Sequence, residues 1–168
     1  MGAVRNHFFA GIVLVLLVAA CSSPRATSSA RQVISCANAG APHHAYVVVQ
    51  HLSGASLQRC VGFNGAMIDG QTLMDQSGVQ YQAHALSRGK AVCQVDNEPA
   101  QVSQCFPPQQ PYWALFVETG GKWVNGDAGG FTEAKLHDGD ALGWHYVAAS
   151  DPSPAPPPPA QVLRGAGA

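Results

Sequence analysis

Gly65-Ala-Met-Ile-Asp-Gly-Gln-Thr-Leu-Met-Asp-Gln-Ser-Gly78 is the stretch on which the fold turns. Asp69 has a side-chain oxygen suited to the free N–H groups of a first helical turn, and Gly78 can take the left-handed conformation that ends a helix. Ile68 and Leu73 occupy the N′ and N4 positions of a hydrophobic staple. These signals predict a helix of about two turns whose Leu73 and Met74 point together toward a sheet. Strands are predicted on both sides. Tyr46 to Leu52 (YVVVQHL) is rich in β-branched residues and bounded by Pro42 and Gly54, as a strand should be. Gln80 to Leu86 and Lys90 to Val95 flank Arg88-Gly89 as a hairpin, and Gln101 to Phe106 follows as a third arm. Tyr112 to Val117 (YWALFV) is apolar on both faces, Gly120-Gly121 is a hairpin turn, and Leu142, Trp144 and Tyr146 alternate with Ala141, Gly143 and His145. The order predicts an α+β domain: a mixed sheet on one short helix, with β-hairpins.

The amino terminus carries Arg5, then eleven apolar residues from Phe8 to Val18. A helix crossing the hydrocarbon needs about 20, so the segment reads as an export signal. Val18-Ala19-Ala20-Cys21 is similar to a bacterial lipobox, which predicts cleavage after residue 20 and a lipid on Cys21 that anchors the chain to the outside of the bacterial cell membrane. An ordinary secretory signal with a coincidental cysteine is the competing reading. Of the 168 residues, 148 would remain: a tether over 21–35, one domain over 36–148, and a tail over 149–168. The tail holds Pro-Ser-Pro-Ala-Pro-Pro-Pro-Pro (152–159) and is expected to be extended, unpacked and disordered.

With Cys21 lipidated, Cys36, Cys60, Cys93 and Cys105 are left, an even number in an oxidising compartment. Two disulfides are expected, with three connectivities open. Placing Cys93 opposite Cys105 across the hairpin sets Val95 against Ser103 around a five-residue loop, Asn97 to Gln101, and leaves Cys36 to pair with Cys60. Zinc is disfavoured, because spacings of 24, 33 and 12 match no metal pattern.

Overall net charge is −1, and the domain has five Lys and Arg against nine Asp and Glu, net −4. That balance excludes a nucleic-acid binder working through a basic field. His43, His44, His51, His84, His137 and His145 form no H-E-x-x-H or H-x-H pattern and read as ordinary surface histidines. Asn125 to Gly130 looks like a calcium loop, but its twelfth position is Leu136 where a bidentate Glu is needed. Asp138-Gly139-Asp140 reads as a turn before a strand, and no nucleophile elbow or phosphate-cradling loop is present. The expectation is a protein that is not an enzyme and needs no metal and no cofactor. Because one helix covers one face of a sheet, Tyr112, Trp113, Phe116, Trp144 and Tyr146 are the candidate ligand or partner residues, with at least one of Trp113, Trp144 and Tyr146 exposed beyond what core packing requires. The competing reading is that tails, loops or the amino-terminal arm cover them.

Tyr112-Trp113-Ala114-Leu115-Phe116-Val117, then Gly121-Lys122-Trp123, then Leu136-His137-Asp138-Gly139-Asp140 with Trp144-His145-Tyr146, resembles the DUF4430 family, the transcobalamin-like C-terminal domain. The likeness covers about Tyr46 to Val147. It implies a β-grasp-like twisted mixed sheet, and a binding module for which a cobalamin-like ligand is one option, held or handed to a transporter. The alternative it leaves open is a surface protein-interaction or adhesion module without a small ligand.

Overall fold

A computed structural model describes residues 34–126 and 129–160. The expected leader, Cys21 as the expected lipidation site, most of the expected tether and the last eight residues lie outside the described residues. The chain forms β1 (Cys36–Ala37), β2 (His43–Gln50), β3 (Ser56–Phe63), β4 (Ile68–Asp69) and α1 (Gly70–Ser77). There follow β5 (Tyr81–Ala85), β6 (Lys90–Val95), β7 (Tyr112–Thr119), β8 (Lys122–Asn125), a 3-10 turn (Phe131–Glu133), β9 (Lys135–Leu136) and β10 (Ala141–Val147).

This is an α+β fold, a six-stranded mixed sheet with one short helix and two small two-stranded sheets. The main sheet runs β1-β3-β2-β10-β7-β8. At its centre β2 and β10 are parallel, with Tyr46 opposite Ala141 and Val49 opposite Trp144, whereas β10 meets β7 antiparallel, with Tyr146 opposite Trp113. The smaller pairs are β4 with β9 and β5 with β6.

Helix α1 starts and stops where its local chemistry predicts. The Asp69 carboxylate accepts from Thr72 N at 2.9 Å and from Thr72 Oγ1 at 2.8 Å, and Gly78 ends the helix at φ 72°. Those hydrogen bonds, the backbone one foremost, hold the Asp69 carboxyl below the ordinary carboxylate range. Leu73 and Met74 are fully buried against the inner sheet face, where Trp144 donates its indole N–H toward Met74 Sδ at 3.3 Å. Phe131 from the 3-10 turn sits edge-on to Trp144 at 5.7 Å and to Tyr81 at 5.6 Å. Val47, Val49, Val61, Leu136 and Leu142 complete this inner core.

Both expected disulfides are present, Cys36 with Cys60 and Cys93 with Cys105. The arm expected over Gln101 to Phe106 is a loop and not a strand. Val95 exchanges backbone hydrogen bonds with Glu98, at 3.0 and 2.9 Å, across a turn with Asp96 and Asn97 at positive φ. The ladder position assigned to Ser103 is therefore taken. Pro107 and Pro108 lie directly beyond Phe106 and cannot donate to a ladder. Cys105 reaches Cys93 from this loop.

The tail also differs from the sequence expectation over its described part. It is extended, but it turns back at Ala148, whose carbonyl accepts from Asp151 N, and lies along the outer face of the sheet.

Candidate functional site

The features that converge on one place are the end of β6, the loop after it, the start of β7 and the end of β10. Cys93 on β6 pins Cys105 of the loop, so residues 99–111 arch over the paired ends of β7 and β10. Beneath the arch is a cleft of about 350 Å³. Trp113 and Tyr146 form its floor with ring centroids 4.8 Å apart and tilted by 36°. Tyr112 and Phe106 stand at its edges, Pro99, Pro107 and Pro111 contribute its walls, and Gln101, Gln104 and Gln110 supply amides. Among the described residues, no charged side chain lines it.

The floor is held from behind. Trp113 donates its indole N–H to the Glu98 carbonyl at 2.8 Å, and Gln94, itself receiving from Gln82 at 2.7 Å, donates to the Pro99 carbonyl at 2.7 Å. These bonds anchor the turn from which the loop departs. His51, at the end of β2, sits edge-on to Trp113 at 6.0 Å, with Nδ1 2.6 Å from Glu98 Oε2 and Nε2 3.2 Å from Asp96 Oδ2. Each ring nitrogen of His51 therefore faces its own carboxylate. His51 thus ties the β2 end to the Asp96–Glu98 turn. Burial, with the Glu98 charge adding to it, pushes the Tyr146 phenol above the ordinary tyrosine range, which keeps it protonated at neutral pH.

No family model matches the chain, and neither does any curated protein. A solved structure from Ruminococcus gnavus ATCC 29149, of a protein for which metal binding has been suggested, aligns at a TM-score of 0.43 with 19% identity. The alignment covers 63% of this chain and 97% of that one. Among the described residues, no group of three or more His, Cys, Asp and Glu is placed to hold a metal ion. The two nitrogens of His51 diverge toward separate carboxylates, the opposite of the convergence that coordination requires.

Three of the five aromatic residues singled out from sequence, Tyr112, Trp113 and Tyr146, meet at the cleft. The other two do not. Trp144 is packed between Phe131 and Met74 in the inner core, and Phe116 points to the outer face against Trp123, 6.5 Å away. The expected exposure is not found either, since Trp113, Trp144 and Tyr146 are 5%, 2% and 7% exposed. Cover by loops and tail is what the structure shows: the β5–β6 hairpin and the 3-10 turn lie on the inner face and the tail on the outer one. Trp113 and Tyr146 reach the cleft by an edge while their bodies are core. The loop residues Pro99, Gln101, Phe106 and Pro107 and the supporting His51 were not foreseen. The signal for the loop was a polar segment, Gln101 to Phe106, hemmed between Pro99 and the Pro107-Pro108-Gln109-Gln110-Pro111 run, which leaves little room for the strand assigned to it.

An aromatic floor, proline walls and uncharged amides suit a neutral ligand with one flat or ring face, which stacks on the floor while its polar edge meets the glutamines. The pair of disulfides fits an oxidising, extracytoplasmic setting.

Proposed function

We propose that this protein is a binding module held outside the cell by a lipid on Cys21, and that the Trp113–Tyr146 cleft takes an uncharged small molecule. The observation that carries the reading is the cleft itself: a preformed hollow with an aromatic floor, walled by a loop whose disulfide fixes it before any ligand arrives. At about 350 Å³ it stands at the small end of ordinary ligand sites, roughly 300 to 1,000 Å³. A cobalamin-like ligand, which the DUF4430 resemblance implies, would place a side group or ring edge in the cleft and leave the rest of the corrin to a partner such as a transporter. The role is binding without chemistry, supported by a lining of amide, proline and aromatic groups and by four cysteines already committed to disulfides.

Phe106 favours a second reading. It is 46% exposed at the rim, an aromatic ring displayed on a pinned loop, as a protein partner would bury it. Equilibrium dialysis of the purified protein against cyanocobalamin, followed by its visible absorbance, separates the two. Binding that weakens about fivefold in Tyr112→Ala, the loss of roughly 1 kcal/mol of stacking, supports the small-ligand reading. Absence of retained chromophore at millimolar cyanocobalamin removes the cobalamin version, and capture of a protein partner abolished by Phe106→Ala replaces it with the second.

A further inference from the structure

We propose that the outer face of the sheet is a groove for polyproline-II segments, that residues 151–160 are its resident occupant, and that it accepts a proline-rich segment of a partner protein in exchange. The conformation follows from sequence. Each of Ala155, Pro156, Pro157 and Pro158 precedes a proline, which disfavours helical backbone, and the proline rings fix φ, so the run is set to polyproline II. That helix has three residues per turn, and the burial repeats with the same period. Asp151, Pro154 and Ala160 are half-buried and Pro157 is buried, while the two residues in every interval are exposed. One edge of a three-fold helix is lying on the sheet.

The sheet is shaped to receive it. The segment runs back along β10: His145 Nδ1 is 2.7 Å from the Ala155 carbonyl oxygen, Pro157 lies over Gly143, and Ala160 packs by Ala141 and Tyr46. A Cβ on residue 143 would sit 2.5 Å from the Trp123 ring and 2.8 Å from Pro157 Cγ, so only glycine lets ring and proline share that spot. Glu118, a buried carboxylate, accepts from Ala160 N at 3.2 Å. Polyproline helices are recognised in aromatic-lined grooves, and here the Trp123 wall is joined by the Gly143 floor and by side chains that reach the segment's backbone.

The resident segment leaves one of them unused. Among the described residues the buried Trp123 indole N–H has no hydrogen-bond partner, and a buried donor without one is a standing cost. A segment that brings a carbonyl to it gains what the resident lacks, which is the reason for assigning the groove an outside partner as well.

The test uses the indole N–H resonances of the ¹⁵N-labelled full chain, with Trp123 assigned by its loss in Trp123→Phe. In Pro157→Asp the Trp123 resonance should move as the segment lifts off, and the free peptide Asp-Pro-Ser-Pro-Ala-Pro-Pro-Pro-Pro-Ala should return it at millimolar concentration. In the wild-type chain the same peptide should do little, because the tethered segment competes at millimolar effective concentration. A peptide with every proline replaced by alanine should need at least about tenfold more, having lost its preorganisation. Far-UV circular dichroism checks folding, and Pro157→Gly, which removes the ring without adding charge, is read in the same way should the Asp variant not fold. The proposal is overturned if the resonance stays in place, if the proline peptide never returns it, or if the alanine peptide works equally well. Return of the resonance on adding unlabelled wild-type chain alone, without peptide, would give the groove to a second copy and overturn the assignment to a partner.

Discussion

The two disulfides close loops of similar entropic weight, yet their removal should have different consequences. For Cys93–Cys105, a sequence separation of 12 gives a chain-entropy stabilisation of roughly 3 kcal/mol, and for Cys36–Cys60 a separation of 24 gives roughly 3.5 kcal/mol. Those figures assume that the folded state stays as it was when the bridge is cut. For Cys36–Cys60 most of the bridged segment is fixed by the β2–β3 ladder, and Cys60 is 1% exposed within the outer-face cluster, so nearly the full loss is expected. The other loop has no such hold. Among the described residues, none from 100 to 111 is buried, and the segment pairs with no strand. Once Cys93→Ala/Cys105→Ala frees it, the loop disorders in the folded protein too, and the folded and unfolded states gain entropy together. The net cost should then be at most about half of the 3 kcal/mol, a fall in melting temperature of about 6 °C at roughly 4 °C per kcal/mol. Hydrogen exchange should show the 100–111 amides unprotected, and the cleft, which that loop walls, should be lost. A full loss near 3 kcal/mol with ligand binding intact would refute this reasoning, because it would mean that packing and not the bridge holds the loop.

Asp69→Ala should cost about 1 kcal/mol through loss of the helix cap, and Asp69→Asn much less near neutrality. Since the folded Asp69 carboxyl titrates below its unfolded value, its ionic contribution is present above the ordinary carboxylate range and disappears as the pH falls through the folded value, so melts of wild type and Asp69→Asn should converge in acid. Mass spectrometry of the membrane fraction should find a diacylglyceryl-modified Cys21 as first residue, with Cys21→Ser left as full-length precursor; an unmodified chain starting elsewhere would exclude the anchor.

What could be read in advance was what neighbours along the chain decide. Asp69, Thr72 and Gly78 lie within one short segment, and the helix they delimit was foreseen from Asp69 to Gly78. The alternation of Leu142, Trp144 and Tyr146 likewise placed all three on one face, the inner one. The parallel pairing of β10 with β2 was beyond reach, since 95 residues separate Val49 from its partner Trp144 and nothing local encodes that choice. The packed tail was missed for a related reason. A proline run has no apolar periodicity of the usual kinds, and its docking depends on a groove made by Trp123, Gly143 and Glu118 from three different strands. At the cleft, composition found the aromatic floor because large rings are scarce and conspicuous. It could not find His51, whose role appears only when the end of β2 meets the turn carrying Asp96 and Glu98.

The strand order carries a consequence for synthesis and degradation. β10, the last strand of the chain, is third from one edge of the six and joins β1-β3-β2 to β7-β8. Until residues 141–147 are in place, β2 and β7 each expose a full row of unpaired backbone groups beside a hydrophobic face. A nascent or clipped chain that ends before Ala141 is therefore two open-edged fragments rather than a slightly shortened domain. Such species would be selectively vulnerable to proteases and prone to pair with one another, so the protein should accumulate whole or hardly at all.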